Sequence, residues 1–576
     1  MSLDGSTIPE LVRGRVVSAG DSIAYTFLPD GKGEAQSITW SQLHQRANEL
    51  AALWHGRGVA GQPVMLAMAS GLKFVEALMA CWYAGAIAVP VGLPRHARSK
   101  HRLDRVVCDA GAKFVIGLEE TRPLIEVAGG MGPSMLTWLD PRESAPAMQQ
   151  PLSPVGTNQR VALLQYTSGS TGSPRGVIVT HANLMHNSAL IAGALGHGPG
   201  QTIGGWLPLF HDMGLIGLLV QAAYSGASCV FMSPERFLMR PWLWLQMITD
   251  FKVLSSPAPN FAYDLCVERV TEQQKAKLDL SRWKHALNGA EPVRARTLER
   301  FTSAFASCGF SRAAFFPCYG LAEATLLVTG PGAQRAATPS AQLQDTCGRV
   351  SCGAPMGDTQ LAIVDPQERQ HVSAGQIGEI WVTGGSCAGG YWNDPKTTEA
   401  VFKARLCAAD KEADPRDWLR TGDLGFVQDG QLFITGRIRD LIIIAGRNLF
   451  PADLEQTAES AHPAIAPSGA AAFSIDVDQT EQVVIAVELR REFLKGPLSQ
   501  EVAALDPSAL RRQVSAAVAT ENGVTPYEVV LLCSGALPRT TSGKLRRGTA
   551  RELYLSQTLT LFTVSMDRTS NVTCTQ

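Results

Sequence analysis

Apolar and polar residues follow two different periods along the first four hundred positions. The stretch SQLHQRANELAALWHGRG (41–58) spaces its apolar residues three and four apart and ends in glycine, which predicts an amphipathic helix. QPVMLAMA (62–69) and AIAVPVGLP (86–94) are short, almost wholly apolar runs, which predict strands buried on both faces. Because such runs alternate with helical stretches, we predict parallel sheets covered by helices.

The pattern changes near residue 350 and again near residue 437. The stretches 359–365, 375–385 and 418–437 are short strand patterns punctuated by Gly and Asp, and QDGQ (428–431) is a strong turn signal, so we predict antiparallel hairpins. Strand and helix patterns then continue in a smaller α+β unit. We predict an N-terminal domain at 1–436, a C-terminal domain at 437–555, and a tail or linker at 556–576.

Composition narrows the class of protein. Hydrophobic residues make up 45% and charged residues 18%, which favours a soluble, well-packed enzyme. The 51 basic and 52 acidic side chains nearly cancel, so nucleic acid is not an expected partner. The most apolar stretch (74–94) is interrupted by Glu76, Gly85 and Pro90, which favours a buried helix and strand over a membrane span. The first residues show no apolar signal sequence, and we expect a cytoplasmic protein.

The stretch YTSGSTGSPRGVIVTHANL (166–184) carries the strongest chemical signal. Hydroxyl residues interleave with glycines between an apolar run and the start of a helical pattern. Glycines let backbone N–H groups crowd around an anion and hydroxyls add donors, so we predict a phosphate-binding loop. No G-x-x-x-x-G-K-[ST] string occurs, which excludes a Walker A loop. A flexible Ser/Gly linker is the alternative.

Six strings stand in the order found in one enzyme superfamily: YTSGSTGSPRG, NGAEPV, YGLAEAT, RTGDLG, GRIRDLIIIAGRN and LPRTTSGKLRR. On these motifs the chain resembles the adenylate-forming acyl-CoA synthetases, adenylation domains and luciferases. LPLFHDMGLIG together with GRNLFPADLE is similar to the fatty acyl-AMP ligases, which pass acyl groups to acyl carrier proteins. The resemblance implies an α/β fold: a large N-terminal domain with two helix-flanked sheets and a distorted β-barrel, and a small mobile C-terminal α+β domain.

The resemblance also implies the chemistry and the site. The substrate carboxylate attacks the α-phosphorus of ATP and expels pyrophosphate, so the enzyme must align two anions and stabilise the charge that develops. The loop residues matched to phosphate binding are Thr167, Ser168, Gly169, Ser170, Thr171 and Gly172. Those matched to the base and ribose are Gly289, Ala290, Glu291, Tyr319, Gly320, Leu321, Asp423 and Arg437. Glu323 is matched to the Mg²⁺ ligand, and Lys544 to a mobile cation that bridges carboxylate and α-phosphate.

Several of these residues have plainer explanations when taken alone. Asp423 is compatible with an ordinary turn, Tyr319 with the core, and Lys544 with a solvated basic face. His211 is compatible with a core histidine; by resemblance it lies beside the α-phosphate at the mouth of an acyl tunnel, and we count it with Thr167, Glu323 and Lys544 as catalytic. We predict that the segment is a strand, so the adjacent Asp212 faces away and forms no catalytic pair with His211.

Many apolar residues surround FHDMG and YGLAEAT, which favours a fatty acid as the substrate. The stretch MGLIGLLVQAAYSGA lacks the aspartate expected for recognition of an amino acid. The chain departs from the family at three places: Arg175 replaces a usual lysine, Arg439 replaces the usual hinge residue, and the insertion expected after YGLAEAT looks short. We predict a fatty acyl-AMP ligase that uses ATP and Mg²⁺, with a holo acyl carrier protein, or a carrier domain of a polyketide or nonribosomal peptide synthase, as partner. A fatty acyl-CoA synthetase and a non-catalytic acyl- or nucleotide-binding relative are the alternatives.

Overall fold

The structure is a computed structural model of the chain. It describes residues 7–29, 34–94, 97–126, 136–144, 157–167, 174–332, 344–345, 348–407, 415–444, 447–478, 480–490, 493, 506–540, 543–564 and 572–575. These residues build two large mixed sheets flanked by helices, smaller antiparallel sheets, and a separate sheet near the C-terminus.

The first large sheet contains seven strands, of which six run parallel and the last pairs antiparallel at one edge. In spatial order its strands are Phe315–Pro317, His285–Asn288, Ser255–Ala258, Thr202–Gly205, Ser228–Met232, Ile23–Leu28 and Gln36–Thr39. Because neighbouring parallel strands end at the same edge of a sheet, the segments that follow the first four of these strands start close together at that edge.

The second large sheet has five parallel strands and one antiparallel edge strand. In spatial order its strands are Thr137–Leu139, Phe114–Ile116, Pro63–Ala67, Ile87–Val91, Val161–Thr167 and Arg175–Thr180. The sequence predicted a helix soon after the glycine-rich loop, but the strand Arg175–Thr180 intervenes before the helix His181–Leu195. Its run of Val177, Ile178 and Val179 favours a strand, and pairing with Val161–Thr167 satisfies its backbone.

Helices cover both large sheets, as the sequence predicts. The helix Trp40–Gly56 buries Trp40, Leu43, Ala47, Leu50, Ala51 and Trp54 on one face. The other α-helices of this part are Ile8–Ala19, Leu72–Tyr83, Ala97–Ala110, Arg122–Glu126, His181–Leu195, Asp212–Gly214, Gln221–Ser225, Pro234–Met239, Trp242–Asp250, Asn260–Arg269, Glu272–Lys275, Ala295–Phe305 and Pro395–Phe402, with a π-helix at Leu215–Val220. Across the described residues, no helix combines the length and the apolar character that spanning a membrane requires.

Two antiparallel sheets follow the large ones, and the chain is a mixed α/β protein as predicted. The three-stranded sheet contains Tyr319–Gly320, Leu327–Gly330 and Ala354–Pro355. The four-stranded sheet contains Gln360–Val364, Gly378–Thr383, Leu419–Gln428 and Gln431–Arg437. An isolated bridge joins Phe433 of the four-stranded sheet to Ser351, which shortly precedes the strand Ala354–Pro355. The two sheets lie in or beside the part of the chain where the sequence predicts antiparallel hairpins.

The C-terminal part forms a two-stranded sheet, a five-stranded sheet and its own hydrophobic cores. Its helices are Pro451–Ala461, Pro507–Asn522 and Arg547–Leu555, and its strands are Ile442–Ile444, Arg447–Leu449, Ile465–Val477, Thr480–Leu489, Glu528–Leu532, Leu561–Val564 and Val572–Thr575. The structure differs here from the predicted tail at 556–576, because Leu561 pairs with Leu532 and Phe562 is buried. The segment alternates in the manner of a strand, so a search for a helical period does not detect it.

Candidate active site

The candidate site lies at the carboxyl ends of neighbouring strands of the first large sheet. The strands His285–Asn288 and Phe315–Pro317 are paired in parallel, so the segments that follow them begin side by side. Gly289 and Tyr319, both predicted to contact the nucleotide, are therefore brought to the same edge. This edge is where open α/β sheets bind their ligands.

The segment predicted to line the base is held by Asn260, which is fully buried. The backbone N–H of Asn260 donates to Glu291 Oε1 at 2.9 Å. Ala290 has a φ of 71°, in the left-handed region that non-glycine residues rarely adopt. A Cβ on Gly289 would lie 2.9 Å from the carbonyl oxygen of Cys318. Gly289 thus leaves the backbone uncovered and Ala290 holds it in an unusual conformation, which suits the close approach of a flat ring.

A hydrogen-bonded chain joins Tyr319, Asp423 and Arg437. The Tyr319 hydroxyl donates to Asp423 Oδ2 at 2.8 Å, and Arg437 Nε donates to Asp423 Oδ1 at 2.9 Å. Asp423 lies within the strand Leu419–Gln428, directly opposite Arg437, so it is not a turn residue. Its charge raises the pKa of Arg437. A carboxylate has lone pairs for further donors, and ribose hydroxyls could share this one.

Gly320 and Leu321 lead from Tyr319 into the turn that carries the predicted magnesium ligand. A Cβ on Gly320 would overlap the carbonyl oxygen of Leu326, so the chain folds back on itself there and a side chain does not fit. Leu321 is half-buried against the main core. This tight return fixes the direction in which the turn Ala322–Ala324 presents Glu323.

Glu323 is held by a tyrosine that the sequence analysis did not identify. The Tyr391 hydroxyl donates to Glu323 Oε1 at 2.9 Å, and the Ala388 N–H donates to the Glu323 carbonyl at 2.9 Å. Burial raises the pKa of Glu323. The guanidinium carbon of Arg175 lies 5.4 Å from the centre of the Tyr391 ring, which brings the strand after the glycine-rich loop to the same place.

The donor set at Glu323 fits a cation that is shared with a substrate. The described residues contain no cluster of three or more His, Cys, Asp or Glu side chains able to hold a metal ion. Mg²⁺ is commonly bound by one or two carboxylates together with substrate phosphates, and one half-buried carboxylate meets that description.

His211 lies where a loop from the first sheet turns into a helix. Its backbone is extended, with φ of −103° and ψ of 147°, and the helical turn begins at Asp212, so the two side chains are not related as on a strand. Burial lowers the pKa of His211; the charge of Asp212 opposes the shift, and those of Lys544 and Arg102 add to it. His211 is therefore neutral near pH 7, and a neutral imidazole has one nitrogen that donates and one that accepts a hydrogen bond.

Lys544 reaches this site from the C-terminal part. It is half-buried, and burial lowers its pKa, while the charge of Asp212 raises it and that of Arg437 lowers it further. The preceding Gly543 has a φ of 84°, and a Cβ there would overlap the ring of Phe261. The two parts of the chain therefore meet closely at this point, and the charges of both Asp212 and Asp423 act on the lysine.

The phosphate-loop prediction falls mostly outside the described residues. Ser168, Gly169, Ser170, Thr171 and Gly172 all belong to that stretch. Thr167 is described and ends the strand that leads into the loop, in register with Arg175. The Phe210 carbonyl accepts a hydrogen bond from Gln165 Nε2 at 2.9 Å, which ties this strand to the histidine loop.

The sequence model described as AMP-binding enzyme matches residues 13–392, which is more than half of the chain. The chain belongs to this family. A second model, described as Disco-interacting protein 2-like, AMP domain, matches residues 439–564. The two matches fall on the two parts that have separate hydrophobic cores.

Three proteins similar to the chain have names that refer to fatty acids or fatty acyl groups. The chain is 37% identical to the medium-chain-fatty-acid–[acyl-carrier-protein] ligase JamA of Moorena producens, over 96% of each protein. It is 36% identical to the long-chain-fatty-acid–AMP ligase FadD26 of Mycobacterium tuberculosis, over 96% of this chain and 98% of the relative. The fatty acyl-adenylate ligase of Legionella pneumophila in complex with acyl adenylate and pyrophosphate is 34% identical, with a TM-score of 0.69 and coverage of 95% and 96%.

Proposed function

We propose that the protein activates a medium- or long-chain fatty acid with ATP, forming fatty acyl-AMP and pyrophosphate, and transfers the acyl group to the phosphopantetheine thiol of an acyl carrier protein. The observation that carries this proposal is the close approach of the Lys544 segment to the N-terminal part: a Cβ on Gly543 would overlap the Phe261 ring, and the charges of Asp212, Glu291 and Asp423 act on Lys544. The names of JamA and FadD26 support the fatty acid as substrate, and that of JamA supports the carrier protein.

The first half-reaction joins two anions, so the cation between them is central. An oxygen of the fatty-acid carboxylate attacks the α-phosphorus of ATP, the bond from that phosphorus to the bridging oxygen breaks, and pyrophosphate leaves. Lys544 would stabilise both the approaching carboxylate and the α-phosphate oxygens. His211, kept neutral by burial, would donate a hydrogen bond without adding a charge.

The nucleotide would be held from three sides. Gly289, Ala290 and Glu291 would contact the base edge, Tyr319 would stack on the ring, and Asp423 would accept the ribose hydroxyls with Arg437 beside it. Mg²⁺ would be held by Glu323 and the phosphates, where it would neutralise charge on the phosphate oxygens. Thr167 and the loop after it would bind the β- and γ-phosphates.

In the second half-reaction the thiolate sulfur attacks the acyl carbonyl carbon, and AMP leaves with the electron pair of the broken C–O bond. We also propose that the protein acts in the cytoplasm, where ATP and carrier proteins with phosphopantetheine are available. Both statements rest on the chemistry of the relatives and on the sequence.

Product analysis tests the proposal. Purified protein is incubated with ATP, Mg²⁺ and fatty acids of increasing length, with coenzyme A, with a holo acyl carrier protein, or with neither. We expect acyl-AMP that persists in the presence of coenzyme A and disappears when the carrier is added. Conversion to acyl-CoA would instead support a fatty acyl-CoA synthetase, and absence of any acyl-AMP would contradict the proposed adenylation.

A further inference from the structure

Arg294 lies three residues beyond Glu291, and both residues are hydrogen-bonded to Asn260. Its backbone N–H donates to Asn260 Oδ1 at 3.1 Å, and the N–H of Asn260 donates to Glu291 Oε1 at 2.9 Å. Because Asn260 is fully buried, the position of Arg294 depends directly on the shape of the base-lining segment.

The side chain of Arg294 crosses to the C-terminal part of the chain. Its Nη1 lies 2.5 Å from Oε2 of Glu459, on the helix Pro451–Ala461. The Arg294 and Glu459 side chains are 22% and 9% exposed, so the pair is largely withdrawn from water. Charge-assisted hydrogen bonds of this kind are short and directional.

From Glu459 a chain of contacts continues to the catalytic lysine. The Ser468 N–H donates to Glu459 Oε2 at 3.1 Å, and the Ser468 carbonyl accepts a hydrogen bond from the guanidinium of Arg539. The same guanidinium donates to the Gly543 carbonyl at 3.3 Å. Gly543 immediately precedes Lys544, so each link between the base-lining segment and the lysine is a direct contact.

We propose that Arg294, Glu459 and Arg539 form a positioning relay that sets Lys544 for adenylation when the base-lining segment is in place. The inference rests on the proposed function. Glu459 also accepts from the N–H groups of Ser468 and Ala470 within its own part of the chain, so it keeps hydrogen bonds when the two parts separate. The ion pair with Arg294 is therefore the link of this chain that is lost when the two parts separate.

The relay is tested with Glu459→Gln and Arg294→Gln in fatty-acid-dependent ATP–pyrophosphate exchange, using dodecanoate. We expect kcat to fall about tenfold or more, as for the loss of one coupled buried pair, while KM for dodecanoate stays unchanged. Arg294→Lys, which keeps the charge, recovers part of the rate. Transfer of the acyl group from supplied dodecanoyl-AMP to pantetheine is retained in all three variants, because it does not need the lysine.

Two comparisons separate positioning from a general structural role. In a Lys544→Ala background, Glu459→Gln should cause no further loss of exchange, since it acts through the missing lysine. Glu143→Gln is the matched control, because Glu143 forms a similar 2.5 Å pair with Arg57 inside the N-terminal part, and it should leave exchange unchanged.

The outcomes separate the relay from the proposed function. Three results would overturn the relay alone. The first is exchange within twofold of the unchanged protein in both single variants. The others are a further loss of exchange when Glu459→Gln is added to Lys544→Ala, and an equal loss of rate in both half-reactions. Absence of fatty-acid-dependent exchange in the unchanged protein would overturn the proposed function and the relay with it.

Discussion

At the scale of single residues, burial changes the proton affinity of the groups that we propose face the substrates. It lowers the pKa of Lys544 and raises that of Glu323, so each group is less readily charged in the free protein than in water. Bound phosphates favour the charged lysine, and a bound cation favours the charged glutamate. The site therefore gains most of its charge complementarity when the substrates are present.

Asp423→Asn should raise KM for ATP about tenfold, because hydrogen bonds to a charged group contribute about 1.5–3 kcal/mol and the amide removes that charge. Initial rates of acyl-AMP formation across ATP concentrations measure the effect. Asp417→Asn is the control, since Asp417 forms an ion pair with Arg405 at 2.7 Å on the surface. An unchanged KM for ATP in Asp423→Asn would contradict the ribose role.

The adenylation rate should fall as the pH rises towards the lowered pKa of Lys544, because the lysine must carry its proton to act as a cation. Pyrophosphate exchange measured from about pH 7 to pH 10 shows this alkaline decline. Lys544→Arg keeps its proton throughout this pH range, so its exchange rate should show no alkaline decline. A decline of the same shape in Lys544→Arg would assign the titration to another group.

The residues of the site differ in how far the sequence could predict them. Tyr319, Asp423 and Lys544 follow from motif order, and the structure brings them near one another. Tyr391 gave no signal, because an aromatic residue between Gly and Trp is typical of ordinary core. The strand prediction for His211 and Asp212 was wrong, since the helix begins at Asp212 and local periodicity does not locate that boundary.

At the scale of elements, glycine positions decide where the two parts of the chain can meet. Gly543 combines a φ of 84° with direct packing on the Phe261 ring. A residue with a side chain there must adopt a rare conformation and displace the ring at the same time. The contact therefore depends on the absence of one methyl group.

Gly543→Ala should reduce adenylation about tenfold, because a left-handed conformation and a blocked contact each oppose closure. Adding Phe261→Ala should recover part of the rate by making room for the methyl group. Pyrophosphate exchange measures both variants. Gly548→Ala is the control, since a Cβ there meets nothing within 4 Å. Full activity in Gly543→Ala would show that the contact is dispensable.

Strong periodicity predicted elements well, and weak periodicity did not. The pattern at 41–58 corresponds to the helix Trp40–Gly56, and the run at 62–69 to the strand Pro63–Ala67. The strand Ile465–Val477 was not predicted, because its IAPSGAAAFSIDV sequence is rich in small residues with low strand propensity. Its long antiparallel pairing with Thr480–Leu489 supplies the stability that the local sequence lacks.

At the scale of the whole molecule, ion pairs hold the two parts of the chain together. Arg349 Nη2 lies 2.8 Å from Asp453 Oδ2, in addition to the pair of Arg294 with Glu459. Such pairs are directional and exchange water for protein partners, so they can be broken and remade as the parts move. An arrangement held in this way suits an enzyme that must complete two half-reactions at one site.

Arg439→Pro should leave adenylation within a few-fold of the unchanged protein and slow acyl transfer about tenfold. Arg439 lies in the turn Ile438–Asp440 between the two parts, and proline fixes a backbone angle that a rotation would need to change. Separate assays of pyrophosphate exchange and acyl transfer measure the two effects, with Arg439→Ala as the control. Unchanged rates in both assays would contradict a hinge at this position.

Fatty-acid-dependent ATP–pyrophosphate exchange, measured in the unchanged protein and in Lys544→Ala, tests whether the protein adenylates fatty acids with the help of Lys544. We predict exchange that requires a fatty acid and falls at least about a hundredfold in Lys544→Ala, as for the removal of one group that stabilises transition-state charge. Lys403→Ala, on the exposed Lys403–Glu399 pair, should match the unchanged protein. Absence of exchange with every fatty acid would contradict fatty-acid adenylation, and equal exchange in the Lys544→Ala variant would contradict the role of Lys544.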